Sequence, residues 1–162
     1  MKSFNPNVLN LIEPPIPLAM SWSKNYNEKF GPLIDLSLAV PSYAPHENLM
    51  EYFINAASNK NLLAYGEIEG EKVLRENYSD HLNIKYSSQI KWDQTLITSG
   101  CNQAFIACML AIARSGDEIL LPNPGYFSHD LTLQMLGIKT RYFDLNPQQN
   151  FNFSIENIKT NI

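Results

Sequence analysis

The sequence has few basic residues and no long apolar run. Its 12 Lys and Arg stand against 16 Asp and Glu, for a net charge of −4, and they form no cluster. A nucleic-acid-binding face needs clustered positive charge and is therefore not expected. No segment approaches the roughly 20 apolar residues that cross a bilayer, and the residues after Met1 lack the apolar core of a signal peptide. We expect a cytoplasmic protein that binds neither nucleic acid nor membrane.

Potential metal ligands are also scarce. The three histidines are scattered along the chain and show no metal-binding spacing with one another or with the two cysteines. Cys101 and Cys108 lie seven residues apart in one predicted helix, which separates them by two turns and prevents a disulfide bond. We expect no metal site and two reduced thiols.

The composition that remains is that of a folded domain. The 162 residues are 44% hydrophobic and 11% aromatic, which differs from the charged, aromatic-poor composition of disordered chains. A chain of this length is about the size of one domain and can bury a sizeable core.

The first third of the chain is irregular. Residues 1–33 are rich in Asn and Pro and predict an extended arm with a short helix near 21–30 that packs on something outside itself. Alternating apolar residues from Leu33 predict a strand, which Pro41 ends. Apolar residues at helical spacing then predict one helix over 47–58 and a second that begins near Val73, with a loop between them.

The next third alternates strands and helices. The pattern predicts a strand at 95–98, a helix at 101–114 capped by Gly116, a strand at 118–122, a helix at 127–136 capped by Gly137, and a strand at 139–145. This order is typical of an α/β fold with parallel strands and right-handed crossovers.

Two loops could bind a ligand, because ligands of open α/β sheets lie beyond the carboxyl ends of strands. In the first, the backbone N–H groups of Gly100, Cys101 and Asn102 begin a helix and suit a phosphate, or they form only a tight turn. In the second, Tyr126 follows Pro-Gly and suits a flat ligand, or it covers the local core.

Two rival chemistries are disfavoured. The sequence has neither G-x-G-x-x-G after a strand nor G-x-x-x-x-G-K-[ST], so dinucleotide and P-loop sites are not expected. Cys101 at a helix N-terminus is a candidate nucleophile, but His129 is its only plausible partner and no spacing links the two.

Four segments together resemble the N-terminal part of the class I/II aminotransferases, the pyridoxal-phosphate enzymes of fold type I. The segments are DLSLAVPSY (35–43), AYGEIEGEKVLRENY (64–78), ITSGCNQAF (97–105) and GDEILLPNPGYF (116–127). Their order and separations fit from about residue 30 onward. The resemblance implies an arm and small-domain segment over 1–45 and, over 46–162, an incomplete cofactor-binding large domain of three α/β/α layers.

The resemblance also implies site residues. Gly100, Cys101 and Asn102 would hold the phosphate of pyridoxal 5′-phosphate, and Tyr126 would stack on its pyridine ring. Tyr65 would reach the phosphate of the neighbouring subunit's cofactor, so a homodimer with shared sites is expected. Ala39 stands where the family usually has a glycine beside the substrate carboxylate.

The family's catalytic lysine has no counterpart here. Family members are roughly twice as long or longer, and the lysine that holds the cofactor covalently lies beyond position 162, so we assign no catalytic residue to this chain. We expect an inactive fragment of an enzyme that exchanges an amino group between an amino acid and a 2-oxo acid. Two alternatives are a non-catalytic phosphate-ligand-binding or interaction module and a thiol-dependent enzyme that uses Cys101. The predicted strands 95–98 and 118–121 would not be neighbours, and unpaired edges would make the chain sticky.

Overall fold

The computed structural model describes residues 4–162. Its helices and strands, in chain order, are α1 (Pro6–Leu9), α2 (Pro15–Lys24), α3 (Glu47–Ser58), α4 (Lys72–Tyr86), α5 (Cys101–Ile112), β1 (Glu118–Asn123), α6 (Phe127–Met135), β2 (Lys139–Asp144) and α7 (Ile155–Lys159). Short 3-10 turns lie at Lys60–Leu63, Trp92–Gln94 and Pro147–Gln149. None of these helices is both long and apolar enough to cross a bilayer.

The chain divides into two compact units. One unit combines the described residues up to Leu33 with Ser99–Ile162, and the other is Ile34–Thr98. The boundary predicted at 45/46 concerns the domains of the family fold and stays a prediction.

In the first unit, β1 and β2 form a parallel ladder in register from Glu118 opposite Lys139 to Asn123 opposite Asp144. Parallel neighbours need a crossover connection, and α6 provides it. Leu133 of α6 is fully buried, and Met109 of α5 packs in the same cluster. The predicted strand, helix and strand of this part are confirmed.

The C-terminus of α6 is fixed by a Schellman motif, as the glycine after it predicts. Gly137 has a φ of 71° and donates its N–H to the carbonyl of Gln134 at 3.0 Å. Ile138 donates to the carbonyl of Leu133 at 2.9 Å, and both of these side chains are buried. The hydrogen bonds and the apolar contact are those of the motif.

Helix α5 begins at Cys101, as predicted, but ends at Ile112, two residues early. A local turn replaces its last residues, because the Asp117 carboxylate accepts from the N–H of Arg114 at 3.0 Å. Gly116, with a φ of 95°, belongs to this turn and does not cap the helix.

Two predicted strands are wrong. Residues 34–38 form no strand, because the Asp35 carboxylate accepts from the N–H of Ser37 at 2.9 Å and from its hydroxyl at 2.6 Å, which bends the chain locally. Residues 95–98 are extended but belong to no sheet. Here the N–H of Ile97 donates to the carbonyl of Glu69 at 2.9 Å.

The N-terminal arm is more helical than predicted. Its main helix is α2, which starts at the two prolines Pro14 and Pro15 and not near residue 21, because proline favours the first turn of a helix. The shorter α1 packs against α6 within its own unit. The arm thus does pack outside itself.

In the second unit, the predicted helices α3 and α4 are both present. The side chain of Asn83 ties the end of α4 to the segment that follows, since it accepts from the N–H of Ile90 at 2.7 Å and donates to its carbonyl at 2.8 Å. Arg75 and Ser79 are the buried residues of α4.

Candidate functional site

The N-terminus of α5 has no side-chain cap. Gly100 stands at the N-cap with a φ of 85°, and Cys101 and Asn102 in the first turn are exposed. A Cβ atom on Gly100 would meet nothing within 4 Å, so the space beside the backbone is open. The first N–H groups of a helix have no intrahelical acceptor and carry the positive end of its dipole. This donor set fits an anion such as a phosphate.

The chain that enters α5 is held by the helix itself. The side-chain oxygen of Gln103 accepts a hydrogen bond from the N–H of Ser99. The contact links the first turn to the residue before the N-cap. It therefore fixes the direction in which Gly100 approaches the helix.

The loop after β1 presents Tyr126. Gly125 is required directly before it, because a Cβ there would lie 2.4 Å from the carbonyl oxygen of Pro122. The ring of Tyr126 is 47% exposed and meets Phe127 and His129 edge-on, with centroids 5.2 and 5.3 Å apart. One side of the ring is thus supported while much of it remains accessible.

A stacked ring pair joins α5 to α6 within this unit. His129 stacks on Phe105 of α5 with ring centroids 4.1 Å apart and an interplanar angle of 19°. Because His129 also touches Tyr126, the contacts run from α5 through His129 to the aromatic ring after β1. Among residues 4–162 no hydrogen bond joins His129 to Cys101, the partnership that the thiol hypothesis needs.

A cavity of about 260 Å³ opens at the carboxyl end of the two strands. Its lining includes Asn123, Tyr126, His129, Asp130 and Tyr142. The side-chain amide of Asn123 donates to the Asp144 carboxylate at 2.8 Å, which closes the end of the ladder. The cavity thus lies where open α/β sheets bind ligands.

Asp130 accepts hydrogen bonds in the lining of this cavity. Its carboxylate accepts from the Thr140 hydroxyl and from the Gln134 amide, both at 2.6 Å. Tyr142 is about half exposed, and its partial burial raises the pKa of its phenol, as do a hydrogen bond with Asp130 and the charge of that carboxylate. Sequence reasoning missed this network, although the spacing of Asp130 and Gln134, four residues apart on a helix, was an available signal.

The two other predicted site residues lie in the second unit. Tyr65 follows the 3-10 turn Lys60–Leu63 and has a fully exposed side chain. Ala39 is also exposed, in the irregular segment before α3. Their roles beside a cofactor or a substrate stay predictions.

Comparison with known proteins identifies relatives. Residues 31–162 match the family model described as aminotransferase class I and II. A probable aspartate aminotransferase of Methanocaldococcus jannaschii is 26% identical over 137 residues, which are 85% of this chain and 36% of that protein. The tyrosine aminotransferase of Bos taurus is 30% identical over 65 residues, or 40% of this chain and 14% of that protein.

Solved structures agree in fold. An alanine aminotransferase from Pyrococcus furiosus superposes with a TM-score of 0.85 at 22% identity, over 99% of this chain and 41% of that one. An aspartate aminotransferase from Thermus thermophilus with maleate gives 0.85 at 18% identity, over 100% and 42%. The chain therefore spans about two fifths of the length of these structures.

Proposed function

The chain belongs to the class I and II aminotransferases, and from this premise we propose that it supplies part of the pyridoxal 5′-phosphate site of an enzyme that transfers an amino group between an amino acid and a 2-oxo acid. The observation that carries the proposal is the N-terminus of α5, which begins at a glycine N-cap with open space beside it, in the same unit as the supported ring of Tyr126. A site for an anion and a surface for a flat ring are the two features that a phosphorylated pyridine requires.

Each residue would contribute binding. The N–H groups of Gly100, Cys101 and Asn102 would hold the phosphate, and Tyr126 would support the ring. When bound, the cofactor supplies the electron sink that makes amino-group chemistry at carbon possible. Ala39 would lie near the substrate carboxylate, where its methyl group narrows the space relative to glycine.

The remaining parts of the proposal concern the assembly. Tyr65 would reach the cofactor phosphate of a second copy, so the enzyme would be a homodimer with shared sites. We place this enzyme in the cytoplasm. We assign the covalent attachment of the cofactor to no lysine among residues 1–162. The 162-residue chain alone is therefore expected to bind without turnover.

The test is the affinity of the chain for pyridoxamine 5′-phosphate, which has no aldehyde that could react with surface lysines. Asn102→Asp places a negative charge in the first turn of α5 and should weaken binding of the phosphorylated ligand about ten-fold or more through charge repulsion. The same substitution should leave the chain slightly more stable, because a carboxylate near a helix N-terminus is favourable. Isothermal titration calorimetry and thermal unfolding measure the two effects.

A matched control is Gln148→Glu, which makes the same charge change on an exposed 3-10 turn of the same unit. Unphosphorylated pyridoxamine is the control ligand and should bind weakly to every variant. Equal affinity for the phosphorylated and unphosphorylated ligands would contradict the phosphate site. So would an Asn102→Asp protein that binds like the Gln148→Glu protein.

A further inference from the structure

We propose that Arg75 is a positioning residue that locks the loop 66–70 and thereby restricts the backbone at the exposed Tyr65, which directly precedes the loop. The loop follows Tyr65 directly in the sequence. Arg75 lies in the first turns of α4, the helix that follows the loop. The target of Tyr65, a cofactor phosphate, rests on the proposed function. The lock itself rests on contacts within the second unit alone.

Arg75 is buried to an unusual degree for a charged residue, with 4% of its surface exposed. Such burial requires partners, and the loop supplies them. The Nε atom donates to the carbonyl of Gly70 at 2.8 Å, and a terminal nitrogen pairs with the carboxylate of Glu67. One planar guanidinium thus holds both ends of the turn 67–70.

A tryptophan supports the guanidinium. The centre of the Arg75 group lies 5.0 Å from the ring centroid of Trp92. Lys72 lies 4.8 Å from the same centroid and pairs with Glu76 at 3.6 Å. A planar group that stacks and donates in two directions is specific to arginine, so a lysine at position 75 could not reproduce the arrangement.

The loop backbone is fixed from its other side as well. Gly70 has a φ of 93°, and a Cβ there would lie 2.6 Å from the Cβ of Ile97. The N–H of Ile97 donates to the carbonyl of Glu69 at 2.9 Å. The loop is therefore held by Arg75 on one side and by Ile97 on the other.

Tyr65 directly precedes this rigid loop and is the residue whose position the loop affects. Its ring is fully exposed, whereas the turn that follows it is tied down by a buried charge. A residue whose backbone is held in place before binding loses less conformational entropy when it binds, which increases affinity without a new contact. Arg75 therefore contributes to phosphate binding at a distance, through Tyr65.

The experiment combines binding with hydrogen exchange in Arg75→Gln, Tyr65→Phe and the double variant. If Arg75 acts through Tyr65, each single substitution should weaken binding of pyridoxamine 5′-phosphate by about five-fold, the size expected for ordering the backbone of one residue, and the double variant should lose no more. Arg75→Lys should behave like Arg75→Gln. The exposed Arg114→Gln, which removes the same charge in the other unit, should change nothing.

Hydrogen exchange tests the lock without any ligand. The amides of Gly70 and Ile97 should exchange faster in Arg75→Gln, whereas the amide of Asn83 near the end of α4 should keep its rate. Unchanged exchange at Gly70 and Ile97 would overturn the lock. Losses of affinity that multiply in the double variant would show that Arg75 acts independently of Tyr65. If the unaltered chain does not bind the phosphate ligand at all, the proposed function fails, and the exchange rates still decide the lock.

Discussion

The charge of Asp130 affects the protonation of Tyr142 in the lining of the cavity. Asp130 accepts two hydrogen bonds, from Thr140 and Gln134, and lies beside Tyr142. Partial burial disfavours the phenolate form of Tyr142, and the hydrogen bond with Asp130 and repulsion by its carboxylate add to that effect. Tyr142 therefore keeps its proton to a higher pH in the folded chain than in the unfolded chain.

This difference predicts a pH dependence. The pKa of Tyr142 in the folded state lies above its ordinary value of 10.0. Below about pH 10 the phenol is neutral in both states and stability is unaffected, whereas stability falls as the pH rises from 10 through the folded-state pKa. Tyr142→Phe should remove this part of the alkaline loss. Urea unfolding at pH 8 and pH 11 measures it, and Tyr86→Phe, an exposed tyrosine of the other unit, is the control. A Tyr142→Phe protein with an unchanged alkaline loss would contradict the expectation.

At the scale of elements, helices were easier to predict than strands. The helices α3, α4, α5 and α6 follow from apolar spacing within each segment, because helical hydrogen bonds are local. A strand depends on a neighbour, and the extended segment 95–98 has an apolar pattern without belonging to a sheet. Whether the segment 95–98 pairs with another strand is seen only in the structure.

Some features of the candidate site could be predicted from the sequence, and others could not. Gly100 and Tyr126 were recognisable because glycine and aromatic residues at loop ends carry a signal in sequence. The network of Asp130 with Thr140 was not, since its members lie ten residues apart on a helix and a strand. The pairing of Arg75 with Glu67 was equally hidden, because an arginine in a helix is most often exposed.

The Schellman motif at the end of α6 supports a prediction at this scale. Gly137→Ala forces a side chain into the left-handed region, and its Cβ would lie 2.6 Å from the Ser115 hydroxyl oxygen. We expect a loss of about 1–2 kcal/mol in the free energy of unfolding. Gly137→Asn should lose less, because asparagine tolerates that conformation better. Chemical denaturation measures both, and equal losses would contradict a conformational origin.

At the scale of the whole molecule, little surface is buried. The chain exposes 14030 Å², whereas a folded monomer of 18.4 kDa is expected to expose about 8200 Å². The hydrophobic residues buried among those described are Met109, Leu133, Ile138 and Phe143. Large apolar side chains such as Leu110 and Ile112 of α5 remain exposed. A large amount of exposed apolar surface favours association.

We therefore expect the isolated chain to self-associate as its concentration rises. The double substitution Leu110→Lys and Ile112→Lys should lower its mean mass in sedimentation velocity, because it places charge at two exposed apolar positions of α5. Stability should change by no more than about 0.5 kcal/mol, the usual range for exposed positions. Gln148→Lys together with Gln149→Lys adds the same charge elsewhere and should have a smaller effect. A monodisperse monomer for the unaltered chain would contradict the expectation.

The parallel pair β1 and β2 is formed by a continuous part of the chain. Its crossover helix and its ladder lie wholly within residues 118–144, and the α5 side chains that complete its core come earlier in the chain. A ribosome synthesises the chain from its N-terminus, so every residue of this pair is made before α7. The formation of this pair therefore does not depend on α7.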